Sequence, residues 1–242
     1  MSKSALIVWG GWDGHEPDKV AALCAQILRD AGITAEVADS LDAFADADRL
    51  AALDLIVPVW TMGTIDKALV ENVSEAVAGG TGLAGCHGGM CDAFRDQVLW
   101  QFMTGANWVA HPGGDGVDYR VNIRAGSSPL VDGIGDFDVS SEQYYLHVDP
   151  ANEVLATTRF PTTRWYHSAN GEVDVPVVWT RRWGAGRVYY NALGHKADVI
   201  DHGPALELMR RGLLWAAESK AAARAAGLSR DTFAAASAKG NY

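Results

Sequence analysis

Short apolar runs alternate with amphipathic segments through the first part of the chain. The run at residues 5–9 is typical of a buried parallel strand. Pro17 and Asp18 then begin a predicted helix, whose apolar positions recur at helical spacing as far as Ala31, and Gly32 is suited to cap its end. The same alternation predicts strands at residues 34–38, 55–60 and 83–86, and helices at residues 43–53, 67–78 and 90–103. Because strands that alternate with helices form βαβ units, we predict a parallel sheet.

Beyond Gly105 the pattern changes to strands joined by longer loops. Strands are predicted at residues 119–123, 137–139, 153–157, 175–180 and 187–192. Gly184-Ala185-Gly186 predicts a hairpin turn between the last two, so this part is interpreted as an antiparallel extension of the sheet. A final helix is predicted at residues 204–217. The Ala-rich residues 219–242 are either a docked helix or a loosely held tail.

Length and composition are those of an ordinary globular α/β protein. The chain has 242 residues, 48% of them hydrophobic and 21% charged, so we predict one domain over residues 1–242. The net charge of -10 repels phosphate backbones and disfavours nucleic acid as a partner. The sequence has no signal-peptide pattern and no apolar run of about 18 residues, and its three cysteines have no metal-binding spacing. We therefore expect a cytoplasmic protein that does not enter a membrane.

Candidate chemistry gathers just after the predicted parallel strands. In an open parallel sheet, ligands bind beyond the carboxyl ends of the strands, which meet at one edge. His15, His87 and His195 each follow such a strand end in a Gly-containing loop. If the three histidines converge, they predict a site for a divalent metal such as zinc or manganese.

The segment Gly85-Cys86-His87-Gly88-Gly89 is the most informative of these loops. Glycines around one residue, between a strand and a helix, predict a sharp turn that exposes the central side chain, which in hydrolases is Ser or Cys. Here the centre is His87, which can serve as a base, an acid or a metal ligand but cannot form a thioester. A turn displaced by one residue would instead make Cys86 the nucleophile of a hydrolase or amidotransferase, and this alternative stays open.

Further candidates lie in loops that the fold would bring to the same edge. Glu142 follows a predicted strand and could be the acid or base partner of a histidine. Aromatic faces beside acidic and histidine side chains suit a sugar, whose ring stacks on them. The predicted substrate-binding residues are Trp12, His15, Trp60, His111, Tyr144 and His195.

Several of these motifs, in this order, resemble the ThuA-like (trehalose utilisation) family. The matching segments are Gly10-Gly11-Trp12 with His15, residues 82–87, His111-Pro112, residues 141–145, residues 176–179 and, most specifically, residues 184–195. The resemblance implies a three-layer, flavodoxin-like fold of the class I glutamine amidotransferase-like type, with His87 where amidotransferases keep their cysteine. It also implies a role in the catabolism of trehalose, related disaccharides or keto-sugars, with an oxidoreductase partner. The Cys-His-Gly-Gly-Met-Cys run departs from the expected elbow, which leaves the substrate open.

Our hypothesis is a cytoplasmic enzyme of carbohydrate catabolism. His87 and Glu142 would move protons on a sugar or keto-sugar, and His15 and His195 would orient the substrate or hold the metal. A second hypothesis is a sugar-binding or regulatory module without catalysis. Exposed aromatic side chains at the edge of the sheet would equally suit a homo-oligomer interface.

Overall fold

The computed structural model describes residues 3–234, in which strands and helices alternate. The strands are β1 (Ser4–Gly11), β2 (Thr34–Ala38), β3 (Leu55–Thr61), β4 (Gly82–Cys86), β5 (Ala106–Ala110), β6 (Val117–Ile123), β7 (Phe137–Ser141), β8 (Tyr145–Val148), β9 (Glu153–Phe160), β10 (Val173–Trp183) and β11 (Gly186–Asn191). The helices are α1 (Pro17–Asp30), α2 (Ala47–Ala52), α3 (Lys67–Ala78), α4 (Gly88–Cys91), α5 (Val98–Thr104), α6 (Gly203–Ala217) and α7 (Ser219–Ala225).

A nine-stranded sheet in the order β2-β1-β3-β4-β11-β10-β9-β6-β7 forms the centre of the molecule. The strands β2, β1, β3, β4 and β11 are parallel, and the remaining four pair antiparallel beyond β11. The parallel part has the flavodoxin-like order 2-1-3-4-5, in which the strand order reverses between β1 and β3. The predicted α/β class, with a parallel sheet and an antiparallel extension, is confirmed.

Helices cover both faces of the parallel part because right-handed crossovers in opposite directions fall on opposite faces. The connection from β1 through α1 to β2 runs one way along the sheet, and that from β3 through α3 to β4 runs the other way. Accordingly α1 packs beside α6, whereas α3 packs beside α2 and α5. Leu6, Ile7 and Val57, in adjacent strands between these layers, have no exposed surface.

The predicted helix at residues 90–103 is in fact two helices, α4 and α5, with an irregular segment between them. The Met62 N–H donates to the Asp92 carbonyl and the Phe94 N–H donates to the Met62 carbonyl, so backbone pairing with the loop after β3 replaces helical hydrogen bonds. Phe94 also has a positive φ of 50°, which a helix does not allow. Periodicity alone cannot reveal this competition from a distant loop.

Two other parts of the chain differ from the sequence-based expectation. The predicted helix at residues 43–53 is a 3₁₀ turn, Leu41–Phe44, followed by α2, because the Asp46 side chain accepts from the Arg49 N–H and begins a new helix there. The short strands β5 and β8 were not predicted; they form a separate antiparallel pair. Among residues 3–234, no helix has the length and apolar character needed to cross a membrane.

For residues 219–242 the sequence left open a docked helix or a loosely held tail. The first residues of this segment form a docked helix, α7. The Arg187 N–H donates to Ser219 Oγ, the Lys220 ammonium donates to the Ala51 carbonyl, and Ala223 is buried. Residues 235–242 lie outside the described part of the chain. The expectation of a single domain over residues 1–242 stays a prediction.

Gly212 allows α6 to lie directly on β11. A Cβ at this position would come within 2.1 Å of the Tyr189 ring, and that ring cannot easily move because its hydroxyl donates to the Leu208 carbonyl. We expect Gly212→Ala to lower the free energy of unfolding by about 1–3 kcal/mol through overpacking, although alanine favours a helix. Chemical denaturation measures the change. Gly135→Ala is the control because its Cβ would meet nothing within 4 Å, and equal stability of the two variants would contradict the packing argument.

Candidate functional site

His87 occupies the centre of a sharp turn between β4 and α4, as the glycine pattern predicts. Its backbone has φ 47° and ψ -136°, a conformation that costs a non-glycine residue on the order of 1–3 kcal/mol. The neighbouring sheet holds it there, because the His87 N–H donates to the Asn191 carbonyl and the Tyr190 hydroxyl donates to the His87 carbonyl. Gly88 is needed beside it, since a Cβ there would lie 2.7 Å from Thr61 Oγ1.

The three histidines expected at one edge of the sheet meet around one oxygen of Glu142. Glu142 Oε2 lies 3.1 Å from His87 Nε2, 3.3 Å from His195 Nδ1 and 3.5 Å from His15 Nε2. All four side chains are buried, and their ligand atoms lie within 4.8 Å of one another. We call His15, His87, Glu142 and His195 the histidine–glutamate cluster.

Each histidine of this cluster has a partner on its outer side. His87 Nδ1 donates to the Ala192 carbonyl at 2.8 Å, which requires a hydrogen on Nδ1. His15 Nδ1 lies 2.8 Å from the hydroxyl of Thr61, and His195 Nε2 lies 3.4 Å from Asp115 Oδ2. Such outer partners orient the ring and select its tautomer in metal sites.

Asp115 is suited to be the outer partner of His195 because it is ionised. A hydrogen bond from Lys196, at 2.8 Å, is the main reason that the pKa of this carboxyl is lowered. The carboxylate can only accept, so it favours the His195 tautomer with its hydrogen on Nε2. His195 Nδ1 then carries a lone pair towards the cluster, and this buried atom makes no hydrogen bond among the described residues.

The charge states of His87 and Glu142 favour a cation between the two side chains. Burial is the largest cause that lowers the pKa of His87, to about 4, so the ring is neutral at pH 7. Burial opposes ionisation of Glu142, but the close contacts of its carboxyl with His15, His195 and His87 outweigh burial and hold the pKa of this carboxyl well below its usual range. A neutral His87 with its hydrogen on Nδ1 has only a lone pair to offer Glu142.

The cluster could therefore hold a divalent metal. A tetrahedral ion with bonds of about 2.0–2.1 Å has its ligand atoms about 3.3 Å apart. The separations of 3.1, 3.3 and 3.5 Å from Glu142 Oε2 to the three nitrogens are close to that value, whereas the separations among the nitrogens, up to 4.8 Å, would have to shorten around an ion. Three imidazole nitrogens and one carboxylate oxygen are ligands that zinc and manganese accept.

Two predicted substrate-binding residues lie against this cluster. The Tyr144 ring stacks on His87, with centroids 3.8 Å apart and planes at 25°. His111 Nε2 lies 3.8 Å from Glu142 Oε1, the oxygen that the three histidines leave free. Tyr144 is buried, whereas His111 is partly exposed, and the predicted role of both in substrate binding stays a prediction.

The two predicted tryptophans differ in their surroundings. Trp12 is 47% exposed and its ring meets His15 edge-on at a centroid distance of 4.7 Å. The Trp60 ring instead packs over the backbone at the end of β1. A Cβ on Gly10 would come within 2.5 Å of this ring. Trp60 is thus explained by packing, and its predicted role in substrate binding stays a prediction.

Sequence reasoning missed the outer partners of the histidines and the cation beside Trp108. Thr61 directly follows Trp60 at the end of β3, and Asp115 stands in a Gly-rich loop, so both had a weak positional signal. Arg95 forms a two-point ion pair with Asp92 and places its guanidinium 4.4 Å from the Trp108 ring centre. Burial raises the pKa of Asp92. No spacing rule points to this group, because it depends on the break between α4 and α5.

Cys86 lies at the buried end of β4, one residue before the centre of the turn, where His87 is also buried rather than exposed as the glycine pattern predicts. A Cβ on Gly194 would be 3.0 Å from its sulfur, and burial raises the pKa of the thiol to about 12. A thiol in that state is not a nucleophile at neutral pH. Cys24 and Cys91 are also free, buried and raised in pKa, with burial as the first cause.

We therefore expect iodoacetamide to label the native protein only slowly, and all three cysteines to react once it is denatured. Mass spectrometry of the labelled protein over time measures this. The denatured sample is the control for reagent quality. Fast labelling of Cys86 alone in the native protein would contradict its assignment as a packed thiol.

The fold and the turn together define the class. A flavodoxin-like parallel sheet, with a histidine at the turn where amidotransferases carry their nucleophile, is a class I glutamine amidotransferase-like protein. Within this class the chain belongs to the ThuA family, described as trehalose utilisation, whose model matches residues 4–216. The resemblance seen in the sequence is thus confirmed.

Solved structures agree with this fold. A ThuA-like protein from Parabacteroides merdae has a TM-score of 0.68 at 18% identity, with 91% of each chain covered. One from Bacteroides uniformis has a TM-score of 0.68 at 16% identity, covering 88% of this chain and 91% of that one. A cytoplasmic protein from Salmonella typhimurium has a TM-score of 0.55 at 14% identity, covering 78% and 86%. No curated protein matches the sequence.

Proposed function

We propose that this protein is a sugar-processing enzyme of disaccharide or keto-sugar catabolism, with a divalent metal, zinc or manganese, held by the histidine–glutamate cluster. The observation that carries the proposal is the convergence of three buried imidazoles on Glu142 Oε2 at 3.1–3.5 Å. The family description, trehalose utilisation, supports the carbohydrate part. A metal in such a site polarises a carbonyl or hydroxyl oxygen of a substrate or lowers the pKa of water.

The side chains around the cluster would bind and orient the sugar. Trp12 offers an exposed ring beside His15, and Tyr144 supports His87 by stacking on its ring. His111 is partly exposed and lies 3.8 Å from Glu142 Oε1, so it can pass a proton between solvent and the reacting group. The reaction class suited to this set is isomerisation, hydration or C–O cleavage next to a carbonyl.

A second candidate is acid–base catalysis by His87 and Glu142 without a metal. It is favoured by the 3.1 Å contact between His87 Nε2 and Glu142 Oε2, across which one proton can be shared. The two candidates need the same residues but differ in metal content, so a single measurement separates them.

We expect near-stoichiometric zinc or manganese in the purified protein after loading and dialysis, measured by elemental analysis. His87→Ala, His195→Ala and Glu142→Ala should each reduce the bound metal to a small fraction, because every one of them removes a ligand. His147→Ala is the matched control, since this exposed histidine lies on β8. A loaded wild-type protein free of metal would refute the metal centre and leave the acid–base candidate.

Turnover separates an enzyme from a sugar-binding module. Metal-loaded protein is incubated with trehalose and with a 3-keto disaccharide, and products are followed by chromatography. Product formation that disappears in His87→Ala supports the enzyme. Saturable binding of either sugar without product would support the module.

Asp115→Asn should weaken metal binding roughly tenfold, the lower end of the range for outer partners, because Asp115 is half-exposed. Competition with a chelator of known affinity measures this. Asp118→Asn, on the exposed side of β6, is the charge-matched control. Unchanged metal affinity in Asp115→Asn would show that Asp115 does not orient His195.

Other expectations from the sequence stay predictions. They are the oxidoreductase partner, a homo-oligomer, a cytoplasmic location and the lack of nucleic-acid binding. The family match is compatible with each of them and tests none.

A further inference from the structure

A cleft of about 450 Å³ opens beside His111, and none of the cluster residues lines it. One wall is the segment that follows Trp108 at the end of β5, and the other is Thr163, Arg164 and Trp165 in the connection between β9 and β10. The volume is in the range of small-molecule sites. The second wall belongs to the antiparallel extension. The sequence predicts no site residue in this connection.

Two polar atoms in the first wall lack a partner. Trp108 Nε1 and His111 Nδ1 are buried beneath the cleft surface and make no hydrogen bond among the described residues. Because buried polar groups are nearly always paired, with protein, water or ligand, a small rotation of either ring towards the cleft would let a bound molecule pair it. Trp165, in the opposite wall, is 54% exposed and presents a large apolar surface.

The chemistry of the lining favours a neutral, hydroxyl-rich molecule. The walls combine two tryptophans with the indole N–H and imidazole of Trp108 and His111, and the described residues that line them include no carboxylate. The exposed guanidinium of Arg164 is the one permanent charge among those residues. A sugar ring matches this pattern, since its C–H face packs on an aromatic ring and its hydroxyls can hydrogen-bond to Thr163 and His111 in the lining.

We propose that this cleft binds one sugar ring of a disaccharide and presents the adjoining unit to the histidine–glutamate cluster. His111 joins the two sites, because it lines the cleft and its Nε2 lies 3.8 Å from Glu142 Oε1. The inference rests on the proposed function for the reacting unit, but the cleft itself is tested separately. It assigns a substrate-binding role to Trp108 and Trp165.

Binding of trehalose and of maltose to the metal-loaded full-length protein is measured by isothermal titration calorimetry. We expect Trp165→Ala to weaken binding roughly tenfold and Trp165→Phe to restore most of it, as for loss and return of an aromatic face. Trp108→Phe, which keeps a ring but removes the N–H, should also weaken binding. Phe102→Ala is the control, because Phe102 is 52% exposed and lies on α5.

Metal content, measured on the same samples, separates this inference from the proposed function. Sugar binding that is weakened in both tryptophan variants, with metal content unchanged, supports the cleft. Binding that is lost in Trp165→Ala from a protein that takes up no metal also supports the cleft, although it refutes the metal centre. Binding that is equal in wild type and Trp165→Ala would overturn the cleft alone. No binding of either disaccharide by folded, metal-loaded protein would overturn the disaccharide as its ligand.

Discussion

The carboxylate of Glu142 is the constraint on which the site depends. A buried charge is stable only when other groups compensate it, and here the compensating groups come from separate places in the chain. His15 follows β1, His87 lies on the turn after β4, His195 follows β11, and Glu142 itself stands between β7 and β8. The parallel sheet supplies the three imidazoles and the extension supplies the charge, so neither part makes the site alone.

The strained turn at His87 shows how the fold holds this arrangement. Its unfavourable backbone conformation is fixed by hydrogen bonds to Asn191 and Tyr190 of β11, the strand that also leads to His195. His87 and His195, two of the candidate metal ligands, are thus held by the same pair of neighbouring strands, β4 and β11. Rigid strands are better suited than loops to keep such groups within a few tenths of an ångström.

Periodic patterns are sufficient to predict the parallel sheet and to place His15, His87 and His195 at one of its edges. Because the ends of parallel strands share an edge, the positions of His15, His87 and His195 along the chain already place them together, and the order of motifs indicates the family. The same reasoning fails for the break between α4 and α5, for β5 and β8, and for the partnership of Asp115 with His195. Each of these depends on contacts between distant residues, which leave no period in the chain.

The loop after β5 holds two residues with different partners. His111 contacts Glu142 and lines the cleft, and Asp115, four residues later, contacts His195. A ligand that fixes this loop therefore also fixes the outer partner of His195. Binding at the cleft and binding at the cluster are then thermodynamically linked, and each would strengthen the other by the same factor. The proposed metal would then be held most tightly while the proposed sugar is bound.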